Sequence, residues 1–167
     1  GRKREFRCNG EKTREEMLCD LAAAELLFPR AFFVCDLQAA PPGFAGVEEL
    51  AHKYDGSLQA TALRAVDLAR GPKLLMAFRV MHKPAERGSE TDVEPKLRLA
   101  WAHGQGDWPY ARQFKSVAED SPYAQAFYGE LVDEACLAGE VLADSVDEVS
   151  VSARRYGDTV LALLGRE

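Results

Sequence analysis

Apolar residues recur at a helical spacing from the thirteenth residue onward. Met17, Leu21, Ala24 and Phe28 fall three or four apart, with Leu18 and Ala22 beside them. This pattern predicts an amphipathic helix with one apolar stripe. Thr13-Arg14-Glu15-Glu16 has the form of a capping box, in which the Thr hydroxyl and the Glu carboxylate bond reciprocally across the first turn. Pro29 has no N–H to continue the ladder, so the helix ends by Phe28. Before it, residues 1–12 are polar and basic and are expected to be extended or mobile.

A short helical piece is predicted over 31–37, and Ala39-Ala40-Pro41-Pro42-Gly43 breaks the chain. Two further helical patterns occupy 46–54 and 57–70. Val47, Leu50, Ala51 and Tyr54 share one face of the first, and Leu58, Ala62, Ala65, Leu68 and Ala69 recur along the second. Asp55-Gly56 supplies the turn, Ser57 the N-cap, and Gly71-Pro72 the stop. This is helix-turn-helix spacing. From Lys73 the period shortens, and 74–80, 96–102, 149–153 and 159–164 read as strands. Arg155-Tyr156-Gly157-Asp158 marks a hairpin turn between the last two. Residues 84–91 are expected to form an exposed loop, and 122–131 a helix. The expected fold class is α+β: N-terminal helices including a helix-turn-helix-like unit, then a small antiparallel-sheet domain. The expected divisions are 1–38, 39–71 and 72–167.

Composition narrows the function classes. Of 167 residues, 47% are hydrophobic, enough for a packed core. The formal charge is −6, and residues 116–167 alone hold eleven acidic and three basic side chains. Such a surface repels phosphate backbones and argues against general nucleic-acid binding. No apolar run reaches the roughly 18–20 residues that span a bilayer, so no membrane partner and a cytoplasmic location are expected. Cys8, Cys19, Cys35 and Cys136 are scattered without a C-x-x-C pair, which fits reduced thiols. Cys19 and Cys136 are read as small buried hydrophobes. The chain starts with Gly1 rather than Met, which suggests an interior fragment or a trimmed product.

Glu16 is the candidate of greatest chemical interest. A carboxylate on the first turn of a helix with an apolar face can point into a cleft and ligate a metal. The same residue is also the third helical position of the capping box, and the spacing alone leaves both roles open. Other polar residues carry less. Glu49-Leu50-Ala51-His52 lacks the first histidine of a His-Glu-x-x-His helix, so His52 reads as a half-exposed helix residue. Gln59, Thr61 and Arg64 are the only base-reading side chains early in 57–70, which favours packing or protein recognition over DNA contact. His82 and His103 lie on separate predicted strands, and no carboxylate stands at a spacing to pair with either. His103-Gly104-Gln105-Gly106-Asp107-Trp108 reads as a turn, with Trp108 and Tyr110 as packing or pocket residues. The acids between 133 and 148 read as a solvated face.

Glu16-x-x-Cys19-Asp20-x-x-Ala23-Ala24-Glu25-Leu26-Leu27-Phe28-Pro29 resembles the motif of ImmA/IrrE-type zinc metallopeptidases. In that motif a Glu is followed by Ala or Cys with Asn or Asp, then by Phe-Ala-Ala-Glu-Leu-Leu-Met-Pro. Here Ala22 stands where Phe is usual and Phe28 where Met is usual. Residues 47–60 resemble the helix-turn-helix segment that follows in the family, and 72–167 have the size of its GAF-like sensor domain, though the resemblance is weak after Gly71. The resemblance implies that Glu16 is the third zinc ligand. It further implies that two histidines and the glutamate general base come from a His-Glu-x-x-His helix that this chain lacks. No catalytic residue is therefore expected within it, and it should be inactive as given and hold zinc poorly. The complete protein would cleave a helix-turn-helix repressor, switching on a stress or mobile-element response in a bacterial cytoplasm. The alternative is a non-enzymatic regulator, a truncated or degenerate relative acting by binding alone.

Overall fold

The computed structural model describes residues 13–86, 93–129, 132–136 and 149–166, with the backbone alone at 133–136. Four helices come first: α1 (Arg14–Leu27), α2 (Arg30–Ala39), α3 (Gly43–Lys53) and α4 (Leu58–Leu68). Strands β1 (Lys73–Met81) and β2 (Lys96–Gln105) follow, then α5 (Pro122–Phe127), β3 (Val132–Cys136), β4 (Val149–Tyr156) and β5 (Thr159–Gly165). The class is α+β. Several boundaries differ from expectation: β2 continues through His103, Gly104 and Gln105, where a turn is expected, and β4 continues through Tyr156. Helix α3 begins at Gly43 because Ser152 of the sheet accepts a hydrogen bond from the Phe44 N–H at 3.0 Å and so satisfies a first-turn donor. Strand β3 has no apolar alternation to reveal it and is held by its ladder to β4. Helix α5 is shorter than expected, ending before Gly129 at φ +111°. Of the expected 84–91 loop, Pro84–Glu86 forms a 3-10 turn, and 87–91 lie outside the described residues.

The five strands form one antiparallel sheet in the order β2-β1-β5-β4-β3. Alternation along each strand sends side chains to two opposite layers. On one face Leu74, Met76, Phe78, Val151, Val160 and Leu164 pack under α5, with the Phe78 and Tyr123 rings stacked at 4.4 Å. On the other, Leu75, Ala77 and Leu161 meet Phe44 and Val47 of α3 and Ala62 and Val66 of α4. A bulge keeps β2 consistent with both layers. Phe78 pairs with Leu99 and Ala77 with Trp101, so Ala100 is the extra residue, and its carbonyl accepts a bond from the Gln113 amide at 3.0 Å. The 39–71 segment and the sheet thus share a continuous core.

The helices stack in a second layer beyond α3 and α4. Phe28, Phe33, Leu50, Ala65 and Leu68 form its core. Phe28, Phe33 and Tyr54 make an aromatic triangle with centroid separations of 5.2–5.9 Å. The α3–α4 turn depends on that triangle. Asp55 takes the left-handed conformation at φ +49°. Gly56 is required for space instead: a Cβ there would lie 2.5 Å from the Phe28 ring. Polar ties finish the layer. Asp36 accepts from Lys53 Nζ at 2.6 Å and from the Tyr54 hydroxyl at 2.5 Å, while Glu48 of α3 pairs with Arg154 and accepts from the Tyr156 hydroxyl at 2.9 Å.

Candidate functional site

Helix α1 is built as its sequence dictates at both ends. Thr13 is the N-cap; its Oγ1 accepts the Glu16 N–H at 3.2 Å, and Glu16 Oε2 accepts the Thr13 N–H at 2.7 Å. The cap uses one carboxylate oxygen of Glu16 and leaves the other to further partners. The capping reading of Glu16 is thus borne out by both bonds of the box. Glu16 is exposed in the first turn of the helix.

The apolar stripe is not buried. No residue of α1 is buried, and Met17, Leu18 and Leu21 keep 46–56% of their surface in contact with solvent. Only Phe28, just past the helix, enters the core, at 1% exposure. Cys19 is exposed on the same helix, against the expectation of a buried thiol, because among the described residues α1 meets the rest of the protein at its C-terminal end. Cys35 is exposed as well, and the side chain of Cys136 lies outside the described residues.

That C-terminal end is locked by Arg64 of α4, which is 5% exposed. The guanidinium donates to the Phe28 carbonyl through Nε at 3.2 Å and Nη2 at 3.0 Å, and Nη2 also donates to Glu25 Oε1 at 2.5 Å. The carbonyl needs an outside donor because Pro29 terminates the ladder. The second Glu25 oxygen accepts the Arg30 N–H at 3.2 Å at the start of α2. The Arg64 bond, with the Arg30 N–H after it, holds the Glu25 carboxyl below its ordinary value. Glu25, Phe28, Pro29 and Arg30 thus form a joint between α1, α2 and α4. Sequence reading missed it because Arg64 lies 36 to 39 residues from its partners.

The remaining candidates divide similarly. Of the three potential base readers on α4, Arg64 and Thr61 are buried and only Gln59 is exposed. Thr61 Oγ1 donates to the Ser57 carbonyl at 3.0 Å. His52 is exposed, and His82 is partly buried just after β1. His103 does have a carboxylate partner: its Nε2 lies 2.8 Å from Asp67 Oδ1, brought across from α4 to β2. Trp108 packs against the α5-side core beneath the Arg166 guanidinium at 4.5 Å, and Tyr110 is half exposed. A buried residue the sequence did not single out, Arg98, ties β2 to the Met81 and Phe114 carbonyls at 3.1 Å and pairs with Glu86 at 3.4 Å. The side chains of Asp133 and Glu134 and the acids at 140–148 lie outside the described residues.

Among the described residues, no three His, Cys, Asp or Glu side chains gather where they could hold a metal ion. Glu16 alone is not a zinc site, since zinc takes three or four protein ligands. No helix of the described residues is long and apolar enough to cross a membrane. No protein-family model and no curated protein matches the chain.

Proposed function

We propose that this chain is the C-terminal part of an ImmA/IrrE-like regulatory metallopeptidase. In this reading α1 supplies Glu16 as one zinc ligand, and the helix-turn-helix and the GAF-like sheet domain carry regulation. The observation that supports it is the contrast along α1. Its C-terminal end is fixed by the Arg64 joint, while Met17, Leu18 and Leu21 form an apolar face with no cover among the described residues. A helix held at one end, with a bare apolar stripe and an oriented carboxylate at the other, suits docking against further helices that bring two imidazoles. The donors described here do not complete that site, so the histidine ligands and the general base must come from the rest of a complete protein. The substrate in this reading is a helix-turn-helix repressor, and the setting a bacterial cytoplasm. Helix α4 has a packing role, since its face towards the sheet and its Arg64 are buried.

The test is the metal content of the natural gene product, with and without Glu16→Gln. Glutamine retains the capping box but is a poor zinc ligand. The expected result is about one zinc per chain, lost in Glu16→Gln, with helix content unchanged. Unaltered zinc in the variant, or a gene product without a His-Glu-x-x-His helix, would overturn the proposal and favour the non-enzymatic regulator.

A further inference from the structure

A cavity of about 620 Å³ opens between the helical layer and the sheet, on the face opposite α5. Val34 and Leu37 of α2, Val47 of α3, Val66 and Leu68 of α4 and Leu163 of β5 give it apolar walls. Gly46 of α3 packs so closely on the 40–43 connector that a Cβ would lie 2.0 Å from the Pro41 carbonyl oxygen, which sets the outer wall. The volume is that of a small-molecule site.

The charges lining it are one-sided. Arg70 and Lys73 are the charged residues of the lining, and no carboxylate is among the described lining residues of a chain with a formal charge of −6. Lys73 is half buried at the start of β1, paired with Gly165 at the end of β5. Gly165 has no side chain, and the lysine uses that space. A Cβ built there would lie 2.3 Å from Lys73 Nζ and 2.9 Å from Ser150 Oγ. The ammonium and the hydroxyl thus converge over one backbone position inside an apolar chamber. Ser150 donates to the Gly165 carbonyl at 3.2 Å, which anchors the hydroxyl. Among the described residues no carboxylate forms an ion pair with Lys73. A half-buried ammonium beside apolar walls favours an anion that brings its own apolar body.

We propose that this cavity binds a small amphipathic carboxylate, its head group on Lys73 with Arg70 at the rim, and its acyl or aromatic body between α2, α4 and β5. The site bridges the helical layer and the sheet, so occupancy would stiffen the packing of one on the other. This inference stands apart from the zinc reading and holds or fails without it.

The test uses decanoate and decanol, below their aggregation limits, titrated into the chain by calorimetry. Decanoate is expected to bind at least tenfold more tightly than decanol and to raise the melting temperature. Lys73→Met should weaken decanoate about tenfold, leave decanol unchanged and retain the wild-type circular dichroism spectrum. A second variant, Val34→Trp, fills the apolar end and should weaken both ligands. Equal affinity for the two ligands, no effect of Lys73→Met, or no binding of decanoate up to its solubility would each overturn the proposal.

Discussion

Replacing Arg64 with Met tests whether this side chain is a structural joint or a surface reader. Methionine keeps most of the apolar stem, so no large cavity opens, and the perturbation falls on the guanidinium. Its loss strands the Phe28 carbonyl, which sits in a residue 1% exposed and receives two bonds from Arg64 at 3.0 and 3.2 Å. A buried acceptor left without its donor costs about 1–3 kcal/mol. Removing a charge from a buried position returns part of its desolvation cost, which brings the net loss to roughly 1–2 kcal/mol. Glu25 is half exposed and its ion pair is screened by water, so it adds little. At roughly 2–4 °C per kcal/mol for a chain of this size, the melting temperature should fall by about 2–8 °C. Urea unfolding followed by circular dichroism measures the loss, and hydrogen exchange should show deprotection concentrated in the last turn of α1, at the Phe28 N–H bonded to Ala24. Arg64→Lys should recover less than half the loss, because an ammonium cannot present two donors in a fixed fork. A wild-type midpoint in Arg64→Met, or full rescue by lysine, would refute the joint.

Other consequences follow from neighbouring contacts. Gly56→Ala should cost about 1–3 kcal/mol in urea unfolding, because the new methyl meets the Phe28 ring at 2.5 Å and the ring is held by Phe33 and Tyr54. That cost should largely vanish in a Phe28→Ala background, and additive losses would contradict the clash. Phe33→Ala, at a fully buried position, should lose about 3–5 kcal/mol by the same assay. Acid should loosen the helical layer. Hydrogen bonds, first from Lys53 and then from Tyr54, hold the Asp36 carboxyl below its ordinary value of 3.8, and the Arg64 bond does the same to Glu25 from 4.5. Carboxylates depressed in the fold contribute stability above their unfolded values, and that contribution disappears as pH falls through about 4 and below. Glu25→Gln with Asp36→Asn should flatten this acid limb of a midpoint-versus-pH curve. At the alkaline end, burial and the Asp36 bond push the Tyr54 hydroxyl up from 10.0 to about 12. Its contribution is therefore complete below pH 10 and lost as pH rises towards 12; Tyr54→Phe should shrink this limb, with Tyr156, also raised by burial and its Glu48 bond, supplying the remainder.

The legible parts of the candidate site were those within one helical turn. Thr13 and Glu16 are three residues apart, and their reciprocal bonds follow from spacing alone. Periodicity identified the stripe Met17, Leu21, Ala24 and Phe28 but not its cover, and only Phe28 is buried. An apolar stripe records that a partner surface is favourable, not where that surface lies. On α4, Gln59, Thr61 and Arg64 read alike as polar side chains at the start of a helix. Which of them faces inward depends on where α1 ends and where β1 runs. The partner of His103 is hidden from local spacing for the same reason, since Asp67 reaches it from a different element 36 residues earlier.

Short-range chemistry along the chain settles the cap of α1, its stop at Pro29, the turn before Ser57, the hairpin at Gly157-Asp158 and the α+β class. These depend on backbone geometry and side-chain period over a few residues, where entropy and hydrogen bonding have few alternatives. Tertiary structure alone decided the strand order, the Arg64 joint, the Ser152 bond to the first turn of α3, and the convergence of Lys73 and Ser150 over Gly165. The last three join residues that lie 15 to 108 positions apart. No local rule pairs such groups. They meet because burying both faces of one sheet, one beneath α5 and the other beneath α3 and α4, leaves the chain few ways to close.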